Sequence, residues 1–171
     1  MSMRRLLAAL IFHVALPAAT AGEPVPEYDM KAAFLYNYAL FTEWPEPVNG
    51  QFNLCILGMD PFGATLNAMD GKQIKGARLT ILRISTPANA KTCHILYFGE
   101  SERNNTQRIM TELGNFPVLT ITDADNLSKS GIMISMQLMD KHLTFEVNNE
   151  AAHRARLTLS SKMLWLARKV Y

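Results

Sequence analysis

Two cysteines, Cys55 and Cys93, are the residues best equipped for chemistry in this chain of 171 residues. A thiolate can act as nucleophile or metal ligand, and two thiols can close into a disulfide. Zinc calls for four ligands, and no His or Cys stands at ligand spacing from this pair. A Cys–His nucleophile would have to use His94, next to Cys93. Neighbours along a strand point to opposite faces, so His94 reads as a core or edge histidine instead. His142 and His153 lie far apart and lack carboxylates at metal spacing. Ser160-Ser161-Lys162 lacks the two-residue gap of a Ser-x-x-Lys nucleophile and reads as a helix cap.

Two loops resemble ligand loops and fail on detail. Gly58-Met59-Asp60-Pro61-Phe62-Gly63 follows a strand and opens a helix, as a phosphate loop would. It lacks the glycine spacing, and Pro61 removes a backbone donor, so a capped turn is the reading. Asp123-Ala124-Asp125-Asn126 begins like a calcium loop, but Ser128 and Ile134 occupy the positions of the required Gly and Glu. The ten methionines read as core filling. No nucleophile, base and orienter converge, so the expectation is a protein without catalysis, cofactor or metal.

The elements that must carry these residues follow from periodicity. A helix runs from about Glu27 to Thr42, with Met30, Phe34, Tyr38 and Phe41 on one face and apolar residues almost all round. Strands are expected at Phe52–Leu57 (with Cys55), Leu79–Ile84, Cys93–Phe98 and Pro117–Ile121. Short helices fall between them, one from Pro61 to Met69 capped by Asp60, and one at Thr106–Leu113. Ile132–Met139 and His142–Val147 read as a hairpin around Asp140-Lys141. Asn148 caps a helix to Ala155, and Ser160 or Ser161 caps a last helix to Val170. Apolar strands alternating with helices imply an α/β fold. The expected form is a single domain with a mostly parallel central sheet, helices on both faces and the hairpin as an antiparallel edge.

Composition adds an address. Arg4 and Arg5, an apolar run from Leu6 to Leu16 and the small residues Ala19-Thr20-Ala21 read as a signal peptide over 1–21, leaving a domain over 22–171. Without the leader, bases and acids balance, which argues against nucleic acid as a partner. Export makes a Cys55–Cys93 disulfide the expected state, with two buried free thiols as the alternative. Charge is uneven along the chain. Gly22 to Asp60 carries six acids and one base, and Asn148 to Tyr171 five bases and one acid. The two ends either face each other or present a polarised surface.

Taken in order, several segments resemble YfiR-like periplasmic proteins. They are Met30-Lys31-Ala32-Ala33-Phe34-Leu35-Tyr36-Asn37-Tyr38 through Glu43-Trp44-Pro45, Phe52 to Gly58 with Asp60-Pro61-Phe62-Gly63, Cys93 to Phe98, and Leu157 to Leu164. The resemblance implies a compact α/β domain that represses a membrane-bound diguanylate cyclase by binding its periplasmic domain. It implies sequestration by an OmpA-like outer-membrane lipoprotein, activity linked to the redox state of the cysteines, and the capacity to form a homodimer. Cys55 and Cys93 match one of the family's cysteine pairs. A second pair, further along the chain in some members, is absent here, and Trp165 stands where a polar or basic residue is expected.

Two surfaces are then candidates for the partner. The first helix and its exit offer Phe34, Tyr38 and Trp44. The basic last helix offers Trp165 with Arg168 and Lys169, because Trp165 points away from the apolar half of the wheel. The alternative function is a periplasmic small-molecule binder that passes its ligand state to a sensor kinase or cyclase.

Overall fold

A computed structural model describes residues 25–124, 127 and 130–171. The expected leader at 1–21, and Asp125, Asn126 and Ser128 of the calcium-like loop, lie outside the described residues.

The chain forms helix α1 (Glu27–Leu40), β1 (Thr42–Glu43), β2 (Gln51–Leu57), α2 (Ala64–Asn67), β3 (Gln73–Ile74) and β4 (Ala77–Ile84). A 3₁₀ turn at Pro87–Thr92 leads to β5 (Ile95–Phe98), and a second at Glu100–Asn105 leads to α3 (Thr106–Leu113) and β6 (Leu119–Thr122). There follow β7 (Ile134–Met139), β8 (His142–Val147), α4 (Asn149–Arg154), β9 (Thr158–Leu159), α5 (Ser161–Leu166) and β10 (Lys169–Val170). Eight strands make one sheet in the order β10-β8-β7-β6-β5-β2-β4-β3, and β1 and β9 pair as a separate small sheet.

The central run β4, β2, β5, β6 and β7 is parallel. Its middle strands β2, β5 and β6 are buried on both faces, which is why they read as apolar runs rather than alternations. Leu54, Ile56, Ile95, Tyr97, Leu119 and Ile121 face the larger core, beneath α1, α2, α4 and α5. Cys55, Leu57, Leu96 and Phe98 face the smaller one, beneath α3 and the first 3₁₀ turn. Helices therefore cover both faces, as the alternation of elements implies.

The β7–β8 hairpin turns at Asp140 and Lys141, both left-handed (φ +48° and +65°), the backbone of the tight turn that suits strand twist. It is not the sheet edge. The last helix stops at Leu166 rather than Val170, and residues 167–170 extend so that β10 pairs in parallel with β8. The Arg168 N–H donates to Phe145 O (2.8 Å) and the Tyr171 N–H to Val147 O (2.9 Å), bonds a continuing helix could not make. Asp60 does not cap α2 either. Its Oδ1 accepts from the Phe62 N–H (2.8 Å), and the helix opens later, after Gly63 at φ +53°. The caps at Asn148 and Ser160 form as expected, accepting from Ala151 (2.9 Å) and Met163 (3.2 Å).

Helix α1 lies turned from its expected face. It buries Lys31, Ala32, Leu35, Tyr38 and Ala39, and leaves Phe34 half-covered. Small Ala32 and Ala39 let the helix approach the sheet, and Lys31 reaches Asp123 Oδ2 (2.5 Å) at the end of β6. A helix apolar almost all round has no strong moment to fix its rotation, so the buried ion pair helps set it.

Candidate partner-facing cleft and edge

A cleft of about 490 Å³ opens at the amino ends of β2, β5 and β6. The loop after β1 supplies Trp44, Pro45 and Pro47, the start of β5 supplies Cys93 and His94, and the approach to β6 supplies Phe116 and Pro117. Arg156 enters from beyond α4.

The wall nearest the sheet is cross-linked and packed with rings. Cys55 and Cys93 are disulfide-bonded with their Cα atoms 5.9 Å apart, and both are buried. The bond joins the middle of β2 to the residue that closes the 3₁₀ turn before β5. His94 stacks on Phe52 with ring centres 4.7 Å apart, and Trp44 meets Phe52 edge-on at 5.1 Å. The Asn53 N–H donates to His94 Nδ1 (2.9 Å), so the ring stands in for a carbonyl at the start of the β2–β5 ladder. Burial holds the His94 pKa below the ordinary histidine value, in keeping with a neutral ring that accepts at Nδ1. The Trp44 Nε1 is buried without a hydrogen-bond partner.

The outer wall is strained. Arg156 sits at φ +61°, in the left-handed position after α4 that glycine usually fills. Bonds from Leu157 N–H to Ala152 O and from Arg156 N–H to His153 O (both 2.9 Å) define this helix stop. The arginine therefore adopts an unfavourable backbone where its side chain lines the cleft.

A second surface lies at the β10 end of the sheet. Trp165 is 84% exposed and Leu166 55%, and Leu138, Met139, Val170 and Tyr171 are exposed as well. The basic residues here play different parts. Arg168 is engaged with Glu146 and donates to Gln137 Oε1 (3.0 Å), while Tyr171 donates to Glu146 Oε2 (2.9 Å). Lys169 is exposed, its Nζ 4.3 Å from the Tyr171 ring centre.

The six residues singled out for a partner thus occupy three settings. Tyr38 is 2% exposed and packs on Phe145 (5.3 Å), with burial pushing its phenol pKa well up. It is a core residue, correcting its expected place on the surface, because α1 is turned toward the sheet. Phe34 packs beside it, Trp44 lines the cleft, and Trp165, Arg168 and Lys169 lie at the β10 end. Arg156, His94 and Phe116 of the cleft were not anticipated as a group. The signal for Arg156 was available: an arginine follows a capped helix where a glycine stop is the norm.

The arrangement defines a class: a single α/β domain with an aromatic cleft at one end of its sheet and exposed apolar and basic side chains at the β10 edge. A YfiR/HmsC-like family model matches residues 28–168, and the chain belongs to that family. The family is regulatory rather than catalytic, and it is associated with periplasmic control of cyclic-di-GMP signalling through protein–protein contact with a membrane sensor.

Proposed function

We propose that this chain is exported, loses its leader after Ala21, and binds the periplasmic domain of an inner-membrane diguanylate cyclase, lowering cyclic-di-GMP output. The observation that carries this reading is the β10 edge, where exposed Trp165 and Leu166 stand beside Lys169 on a member of a regulatory family. An exposed tryptophan with aliphatic neighbours is the composition of an interface centre, and a lysine beside it suits the polar rim. Binding represses by favouring one conformation of the receptor, so its effect is limited by the difference in affinity for the two states. The Cys55–Cys93 bond braces the cleft end of β2 and β5, so reduction would loosen Trp44 and His94. An OmpA-like lipoprotein would compete for the free regulator.

The test is co-purification of the tagged protein with detergent-solubilised membranes. Wild type retains a cyclase and a Trp165→Glu, Leu166→Glu double variant does not, while both melt alike. Recovery of the cyclase by the double variant would reject the edge as the contact, and absence of any cyclase from the wild-type sample would reject the function.

The 490 Å³ cleft favours a second reading, in which a small molecule bound beside Trp44 and Arg156 is the signal passed to a sensor. Metabolite mixtures that leave the melting temperature of the wild-type protein unchanged would count against it.

A further inference from the structure

Asn49 and Gly50 form the chain's single Asn-Gly pair. A glycine after an asparagine carries no Cβ to shield the peptide nitrogen that joins them. That nitrogen can reach the carboxamide carbon of the asparagine's own side chain.

The pair stands in the loop that enters β2. Gly50 sits at φ +76°, and the Gln51 N–H donates to Asn49 O (2.9 Å), which closes a three-residue turn about the glycine. Both residues are exposed, and a Cβ added at Gly50 would meet nothing within 4 Å. Among the described residues, neither the Asn49 carboxamide nor the Gly50 N–H has a hydrogen-bond partner. The electrophile and the nucleophile are both free.

Asp70-Gly71 is the contrast within the same chain. There the Gly71 N–H donates to Leu79 O (2.8 Å), and Asp70 Oδ1 accepts from the Ile81 N–H (2.9 Å). The same attack would break both bonds, and water rather than ammonia would have to leave.

We propose that Asn49 is a self-modifying site, converted to aspartate and isoaspartate without an enzyme. The Gly50 nitrogen loses its proton and bonds to Asn49 Cγ. The Cγ–Nδ2 bond breaks and ammonia leaves, closing a five-membered succinimide. Water then adds to one of the two ring carbonyls, and the ring C–N bond at that carbonyl breaks. Opening at Cγ leaves an aspartate. Opening at the backbone carbonyl leaves isoaspartate, with an extra methylene in the main chain. The balance is one water in and one ammonia out, with no change of oxidation state.

Either product puts a carboxylate where a neutral side chain stood. Asn49 lines the cleft at the amino ends, whose bases are Lys91 and Arg156 and whose acid is Glu46. The new charge takes that lining from one excess base to balance, so an aged molecule presents a less basic cleft. The isoaspartyl form also displaces Gly50, whose O accepts from the Arg78 N–H (2.8 Å) where β4 begins to pair with β2.

Incubation of the purified full chain in mildly alkaline buffer at physiological temperature tests it, with peptide mapping by mass spectrometry over weeks in water labelled with heavy oxygen. The expected result is the mass gain of an amide-to-acid change at Asn49, solvent oxygen in both products, and isoaspartate in excess of aspartate. Conversion at Asn49 should run roughly tenfold ahead of any other asparagine, the ratio that about 1.4 kcal/mol of barrier makes. Asn49→Gln, which cannot close the five-membered ring, should melt like wild type and stay unmodified at this position. Asp70 should yield no isoaspartate while the chain is folded. Conversion at Asn49 no faster than at the other asparagines would overturn the proposal. So would aspartate without isoaspartate, the mark of direct hydrolysis, or isoaspartate at Asp70 in equal yield.

Discussion

His94 accepts a backbone hydrogen bond at Nδ1 and stacks on Phe52, both of which suit a neutral ring. Its pKa is held down by burial, so below the unfolded value of about 6.5 the unfolded chain binds a proton that the native ring resists. Stability therefore rises with pH through this window and falls as pH drops from about 7 toward the native pKa. Melting followed from pH 7.5 to 5.5 should show that fall, and His94→Gln should flatten it; a slope unchanged in the variant would assign the effect to another group. Arg156 makes the opposite kind of prediction. Its left-handed backbone suits glycine, so Arg156→Gly should stabilise the protein by about 1 kcal/mol while removing a cation from the cleft. Higher stability with weaker cleft binding would mark the strain as functional, and lower stability would disprove the strain. Residue by residue, the sequence disclosed chemistry that depends on near neighbours, such as the Asn148 and Ser160 caps. It concealed the Lys31–Asp123 pair, whose partners lie 92 residues apart and meet only once α1 packs across the sheet.

At the scale of elements, the disulfide is the strongest brace. It ties β2 to the segment before β5 across a sequence separation of 38 residues. Closing a loop of that size in the unfolded chain is worth about 4 kcal/mol by chain entropy, less any loss from local rearrangement. A Cys55→Ser, Cys93→Ser double variant should lose about 2–4 kcal/mol, read as a lower urea midpoint. Melting and repression equal to wild type would remove the redox reading altogether. The bond lies in the smaller core with α3, so its loss should also speed hydrogen exchange in α3 before α1. The apolar strands and the hairpin were legible because burial on two faces and a two-residue turn leave direct marks on a sequence. Strands β1, β3, β9 and β10 were not. Each is two residues long, too short for any period, and exists through its pairing partner. The misread end of α5 belongs here: Leu164, Leu166, Ala167 and Val170 suit a helical face, and only the bonds to β8 draw 167–170 out.

For the molecule as a whole, the charge asymmetry outlasts folding. Among the described residues, two of the acids between Gly22 and Asp60 pair with central bases, Glu43 with Lys75 and Asp60 with Arg83, while Glu27 pairs with Lys31 of its own helix. Toward the other end, Arg168 pairs with Glu146 and Arg154 with Glu150. Among the described residues no ion pair joins the acidic stretch to the basic one; they meet through backbone and ring contacts, the β1–β9 pairing with Ser160 N–H donating to Phe41 O (2.9 Å) and Lys162 Nζ 5.2 Å from the Phe41 ring centre. The field of a basic β10 end therefore reaches solvent, where it can speed encounter with an acidic receptor surface more than it deepens affinity. Lys162→Glu with Lys169→Glu reverses that field without touching Arg168, which the fold uses. If the β10 edge meets the receptor, this variant should associate with the isolated periplasmic domain about tenfold more slowly at low salt. The deficit should shrink at physiological salt, where the Debye length is about 8 Å, while dissociation changes little. Stopped-flow association at two ionic strengths reads both terms. A deficit that persists undiminished in salt would mean that the lysines touch the partner directly. No deficit at either ionic strength would place the receptor on another face.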